Sequence, residues 1–186
     1  MAMTFMQSSI QGAGFYPSTV ASGVVTTNAV SAFPATGSFT TSGQALVGAD
    51  GAANTDTLSV RFIADPTNTS AFQGCSAAPV ANTLYTDVFS IDTVNQNLIC
   101  TENGTQYTLI VGVSGVNILY GVDAPSGSSG SVTQYLTATN VTASLGYWNY
   151  VKTVQLTLLF TNPLAGQPGQ PATISLSQTI PYMASL

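Results

Sequence analysis

Nine side chains carry formal charge in this 186-residue chain: seven acids and the two bases Arg61 and Lys152, for a net charge of −5. Histidine is absent and Glu102 is the single glutamate. The residue sets that usually act as general base, nucleophile activator or metal ligand are therefore mostly missing. Asp50, Asp56 and Asp65 lie close in sequence, and the DGAANTD run at 50–56 offers carboxylate and amide oxygens of the kind calcium uses. Its spacing matches no EF-hand, and a solvated turn is the plainer reading. Asp87 and Asp92 flank a strand candidate. A hydrolase built on them and Glu102 needs a through-space separation that sequence does not supply. The many Ser and Thr hydroxyls have no base beside them to make a nucleophile. The expectation is a chain without catalytic residues, cofactor or metal.

The same charge poverty excludes other classes. Charged residues make up 5% of the chain, against about 25% in an average protein. Two bases cannot neutralise a run of phosphates, so nucleic acid and anionic membrane surfaces are unsuitable partners. Disorder is also a poor description, because 45% of residues are hydrophobic and they fall in periodic runs. About a quarter of the chain is Ser or Thr, which suits strands and turns better than helix interiors. Mean hydropathy is +0.31, yet the most apolar stretch, 107–122, is interrupted by Thr108, Gly112, Ser114, Gly115 and Asn117. It reads as buried sheet and not as a membrane span, which needs about 20 mostly apolar residues. No secretory signal pattern opens the chain.

Cys75 and Cys100 are the only cysteines. A single bridge is the first reading in a charge-poor, Ser/Thr-rich chain of extracellular character. Closing a loop of about 26 residues would contribute ~3 kcal/mol through the unfolded state. Two separately buried small hydrophobes are the alternative.

Stepping along the chain, residues 3–16 form the one helical candidate, with Met3, Met6, Ile10 and Ala13 in a stripe that Phe5 borders. Gly12, Gly14 and Pro17 end it, and Met1-Ala2 has the character of an expression start. Residues 18–53 read as loops and short strands. At 58–64, Leu58, Val60, Phe62 and Ala64 alternate with Ser59, Arg61 and Ile63, which predicts one apolar face with Arg61 on the other. Strands are expected at 84–92 and around Leu98-Ile99, joined by a turn at 95–97. The apolar parity changes between Val113 and Val116, which predicts a bulge or break at Ser114-Gly115. Residues 132–141 fit a strand or a short helix equally. Residues 154–160 and 174–180 alternate and are joined by the proline-rich 162–171, giving a long-looped antiparallel pair. Asn68, Asn103 and Asn140 begin glycosylation sequons that arise readily in such a composition. Tyr147, Trp148 and Tyr150 are candidates for a sugar-stacking platform, although a Trp beside a strand is commonly core or interface. The economical architecture is one β-rich α+β domain with a helix at its start.

Read in order, SSIQGAGFYP at 8–17, DTLSVRF at 56–62, Cys75, LIC at 98–100, LIVGVSGVNILYGVD at 109–123, VTQY at 132–135 and WNYVKTVQLTLLF at 148–160 resemble the PilW family of type IV pilus minor pilins. Pseudopilin J of type II secretion is similar in outline. The resemblance implies a pilin-like head, an antiparallel sheet packed on the stub of an N-terminal helix. Residues 1–17 would be the end of that truncated helix and 18–186 a single globular head. It implies no catalysis or cofactor, and a role in initiating pilus assembly and in the tip complex. Its partners would be other minor pilins, a tip adhesin and the major pilin below. Membrane contact would come only through the absent half-helix, with an inner-membrane location facing the periplasm before assembly and the pilus tip afterwards. Met3, Met6, Ile10, Ala13 and Trp148 are the expected partner-binding residues, and Cys75–Cys100 the expected disulfide. The run APSGSSGS after Asp123 lacks the acids often found at that place in the family, which weakens any cation site there. A glycan- or surface-binding adhesin module is the second reading. Because only two bases are present, head-to-head association is expected to change little between low and moderate salt in a binding titration.

Overall fold

The computed structural model describes residues 2–17, 28–65, 74–75, 79–123, 130–144 and 147–182. In chain order the elements are α1 (Ala2–Gly12), α2 (Ala29–Ala32), β1 (Leu46–Ala49), β2 (Thr57–Ile63), β3 (Leu84–Asp92), β4 (Asn97–Glu102), β5 (Thr105–Val111), β6 (Val113–Val122), β7 (Gln134–Leu136), α3 (Ala138–Ala143), β8 (Val151–Thr161) and β9 (Thr173–Pro181), with a 3-10 turn at Tyr147–Tyr150. The fold is α+β and β-rich, as expected, with two sheets where the sequence suggested one. β1-β2-β3-β4-β5 is an antiparallel meander, and β7-β6-β8-β9 is a second antiparallel sheet.

Turn chemistry explains the change of sheet. Asn103 and Gly104 both have positive φ (46° and 90°), the requirement of a two-residue hairpin turn, and they join β4 to β5. At Gly112, with φ +81°, the chain leaves the meander and enters the second sheet. The predicted irregularity follows at once, because the register of β6 against β8 slips between Val113 and Gly115. Gly115 sits so close to the Asn54 carbonyl that a Cβ would approach it to 2.9 Å. Here Val116 N–H donates to Asn54 O (2.7 Å) and Asp56 N–H to Val116 O (3.2 Å), tying the two sheets together. The ambiguous stretch 132–141 contains both predicted forms, β7 and then α3.

The helical stripe closes the core. Met6, Ile10 and Ala13 are fully buried in one cluster with Leu58, Val60 and Phe89 of the meander and Val116, Leu156 and Leu158 of the second sheet. Met3 and Phe5 pack at its border. The helix stops at Gly12, four residues earlier than the pattern predicted. Gly14 adopts φ +84°, its N–H donates to Arg61 O (2.8 Å), and Phe15 O accepts from Ile63 N–H (2.9 Å). Pairing with β2 therefore replaces the last predicted helical turn.

β2 corrects a second expectation. Its alternation predicted one buried face and left Arg61 on the other, but both faces are covered and Arg61 is 0% exposed. Arg61 Nη1 donates to Pro34 O (2.7 Å) and Nη2 to Gln44 O. The guanidinium lies 3.9 Å from the Phe39 ring centroid and 5.5 Å from that of Phe33. The cover is residues 33–45, whose Gly/Ser/Thr composition gave no sign of it. Burial pulls the Arg61 pKa down to about 10, so the side chain stays charged at neutral pH. Arg61→Met keeps the stem but strands two carbonyls at 1–3 kcal/mol each. A loss of about 3 kcal/mol is expected in denaturant unfolding, with amide exchange accelerating first at 33–45; unchanged exchange there would contradict this account.

Candidate functional site

The carboxylates come first, because the sequence offered them as chemistry. Asp50 accepts Ala138 N–H (2.8 Å) and Thr139 N–H (3.0 Å), so it caps the first turn of α3. Asp56 accepts Gly51 N–H (2.9 Å) and Ile118 N–H (2.8 Å). The DGAANTD run thus turns its two carboxylates onto backbone amides. Asp92 accepts Val94 N–H and Asn95 N–H in the β3–β4 turn, which separates it from Asp87. The partner of Asp87 is Glu102, directly opposite it in the β3–β4 register. Both are buried, at 0% and 5% exposure. The sequence groups Glu102 with Asp87 and Asp92, and only the strand register singles out Asp87 and Glu102 as neighbours.

Cys75 and Cys100 form a disulfide with Cα atoms 6.1 Å apart, beside Asp87. The three residues have metal-ligand atoms within 4.8 Å of one another, but both sulfurs are committed to the bridge, so the trio is not a metal site.

Trp148 occupies the 3-10 turn before β8. Its ring meets Tyr120 edge-on at 4.8 Å between centroids, and Nε1 donates to Thr142 Oγ1 (3.1 Å). It lines two adjoining cavities of about 210 and 230 Å³, both of which also include Gln44 and Asn149. Tyr150 lines neither, and the Tyr147 side chain lies outside the described residues. The expected three-residue platform is thus replaced by one Trp set among polar residues from a distant part of the chain. Ser38, Thr40 and Thr41 of that wall carried no recognisable signal in sequence.

The expected partner residues are dispersed. Met6, Ile10 and Ala13 are interior, Met3 lies at the core border, and Trp148 is in the cavities at the other end of α1. Gln178 Nε2 donates to Gln7 Oε1 (2.9 Å), and Gly14 and Tyr182 share a cavity wall. The Gln7–Gln178 bond and the shared cavity wall together indicate that α1 runs alongside β9 in the same direction. Back from the Gln7–Gln178 contact, four helical residues rise about 6 Å and two strand residues about 7 Å, a close match. Met3 is therefore level with Leu176, and Ile174 lies beyond the first turn of α1.

Ile174 and Leu176 pair with Phe160 and Leu158, which places them on the core face of their sheet. They are nonetheless 51% and 50% exposed. Further along the same face, Ile180 is 0% exposed. The alternation read in the sequence is present, and its covering stops short.

Compared with known proteins, residues 76–184 match the family described as Type IV Pilus-assembly protein W. This is more than half of the chain. The chain belongs to the PilW family. No curated protein and no solved structure matches it. The PilW match spans β3 to β9 and begins one residue after Cys75. No helix among the described residues is long and apolar enough to cross a membrane.

Within this PilW chain, burial and the neighbouring Glu102 carboxylate push Asp87 up to about 8, with the Cys75 backbone amide acting in the opposite direction. The folded state therefore holds a proton that the unfolded chain releases near pH 4. Unfolding releases protons between those values, so this pair makes stability fall as pH rises from about 4 to about 8. Asp50, where burial raises the value but hydrogen bonds together outweigh it, and Asp92, lowered by its hydrogen bonds to Asn95, act with opposite sign and only as pH falls below about 4. The urea midpoint is expected to be higher at pH 5 than at pH 8.5, and Asp87→Asn should flatten the difference. Identical slopes in the two proteins would show that Asp87 is not the source.

Proposed function

We propose that this PilW chain is a non-catalytic minor pilin, which takes part in initiating type IV pilus assembly and in the tip complex through contacts with other minor pilins. In this reading residues 1–17 are the end of a longer pilin helix and 18–186 the head. The protein waits at the inner membrane facing the periplasm before it is assembled. Support comes from family membership and from the interior, where α1 and both sheets share one core. A helix so anchored can transmit force to its head without detaching from it.

The observation that carries the reading is the uncovered pair Ile174 and Leu176. It lies on the core face in line with α1, Leu176 level with the first turn and Ile174 beyond it. A helix extended toward its N-terminus would cover Ile174 and complete the cover of Leu176, which is the arrangement a pilin requires. Burying the two half-exposed side chains is worth about 2 kcal/mol.

A head carrying a pilin-type helix ahead of residue 2 is therefore expected to gain about that much against denaturant and to co-purify with the heads of other minor pilins. Ile174→Ser with Leu176→Ser should cancel the gain. If the added helix brings neither stability nor a complex, the minor-pilin reading fails.

A further inference from the structure

The two cavities beside Trp148, the smaller of which borders the core through Leu46, lie at the opposite end of the α1–β9 pair from Ile174 and Leu176. They share Gln44, Trp148 and Asn149 in their walls, so the indole borders both halves of one groove. No Asp, Glu, Lys or Arg lines either half. A charged ligand would lose its hydration there with no charged side chain in the lining to contact.

What the wall does offer is neutral hydrogen bonding. Ser38, Thr40, Thr41 and Asn149 are exposed. Among the described residues their side chains form no hydrogen bonds. Gln44 is committed, with Nε2 donating to Leu46 O (3.3 Å) and Oε1 accepting Thr41 N–H (3.4 Å). It acts as a brace for the wall. Trp148 is also preset: Tyr120 supports the ring and Thr142 fixes Nε1. Binding therefore need not freeze a loose aromatic side chain.

An aromatic plane bordered by hydroxyls and an amide, without charge, complements a pyranose ring. Such a ring presents a C–H face to stack on indole and a rim of hydroxyls to exchange hydrogen bonds with Ser, Thr and Asn. The same pairing of a rigid amphipathic aromatic with adaptable small polar groups is effective at other recognition surfaces. We propose that this groove binds a neutral glycan, about two sugar residues long, across Trp148. The site is independent of the pilin reading, since it uses neither the exposed β9 strip nor the N-terminal half of α1.

Trp148 is the only tryptophan in the chain, so its fluorescence reports on the groove directly. The full chain would be titrated with neutral trisaccharides: cellotriose, maltotriose, mannotriose and triacetylchitotriose. Sialyllactose serves as the anionic control and a Ser/Thr-rich uncharged peptide as the competing ligand class. At least one neutral trisaccharide is expected to give a saturable spectral change, and the anionic sugar and the peptide none. Asn149→Ala, an exposed change that leaves the fold intact, should weaken binding about five- to tenfold. Trp148→Phe should abolish saturation-transfer NMR contacts to the sugar. The proposal is overturned if no neutral trisaccharide perturbs Trp148, if sialyllactose or the peptide binds as well, or if Asn149→Ala binds like the parent.

Discussion

The structure turns on a buried cation without a counter-ion. Among the described residues no carboxylate pairs with Arg61; its charge is met by two carbonyls and the Phe39 face. Removing a guanidinium from water costs several kcal/mol, and charge-assisted hydrogen bonds with a close cation–π contact return much of it. Position gives the arrangement its value. Arg61 lies in β2, its backbone N–H donates to Ala45 O, and its carbonyl accepts Gly14 N–H. One residue thereby fixes the cover at 33–45 and the exit of α1 against the same strand. Gln44, whose carbonyl the guanidinium holds, is shared by both halves of the Trp148 groove. The groove wall is thus built on the buried charge.

Much of this fold was legible where one physical signal acted alone. β3 and β8 followed their alternation, the parity change at 114–115 marked a real register slip, and the stripe Met6, Ile10, Ala13 faced the core. Reading failed where a second layer intervened. Arg61 looked solvent-facing because alternation reports one covered face, and nothing in TGSFTTSGQ announces that it covers the other. Asp87 was set beside Asp92, its neighbour in sequence, while the register gave it Glu102. Cross-strand partners exist only after pairing, so spacing could not find them. The groove escaped for the same reason, since its wall joins residues near 40 to residues near 148.

Charge poverty is better understood as charge allocation. Asp50, Asp56, Asp92 and Asp123 all accept backbone N–H groups at turns or helix starts. Asp87 and Glu102 face one another across the β3–β4 pair in the interior, and Arg61 binds carbonyls. The few charges therefore act as local fasteners for a backbone rich in irregular turns, where a carboxylate can satisfy two amides at once. Once so employed they contribute little to the outer field, and the exposed faces are left to Ser, Thr, Asn and scattered aliphatic groups. On β8 and β9 this is explicit: Thr157 and Ser177 hydrogen-bond across the solvent face at 2.8 Å, while Leu158 and Leu176 stand opposite each other on the core face. A surface of that kind discriminates by shape and by neutral hydrogen bonds, and long-range electrostatic steering has little to act on. The scarcity of charge thus leaves recognition to close fit, at the β9 strip as at the Trp148 groove.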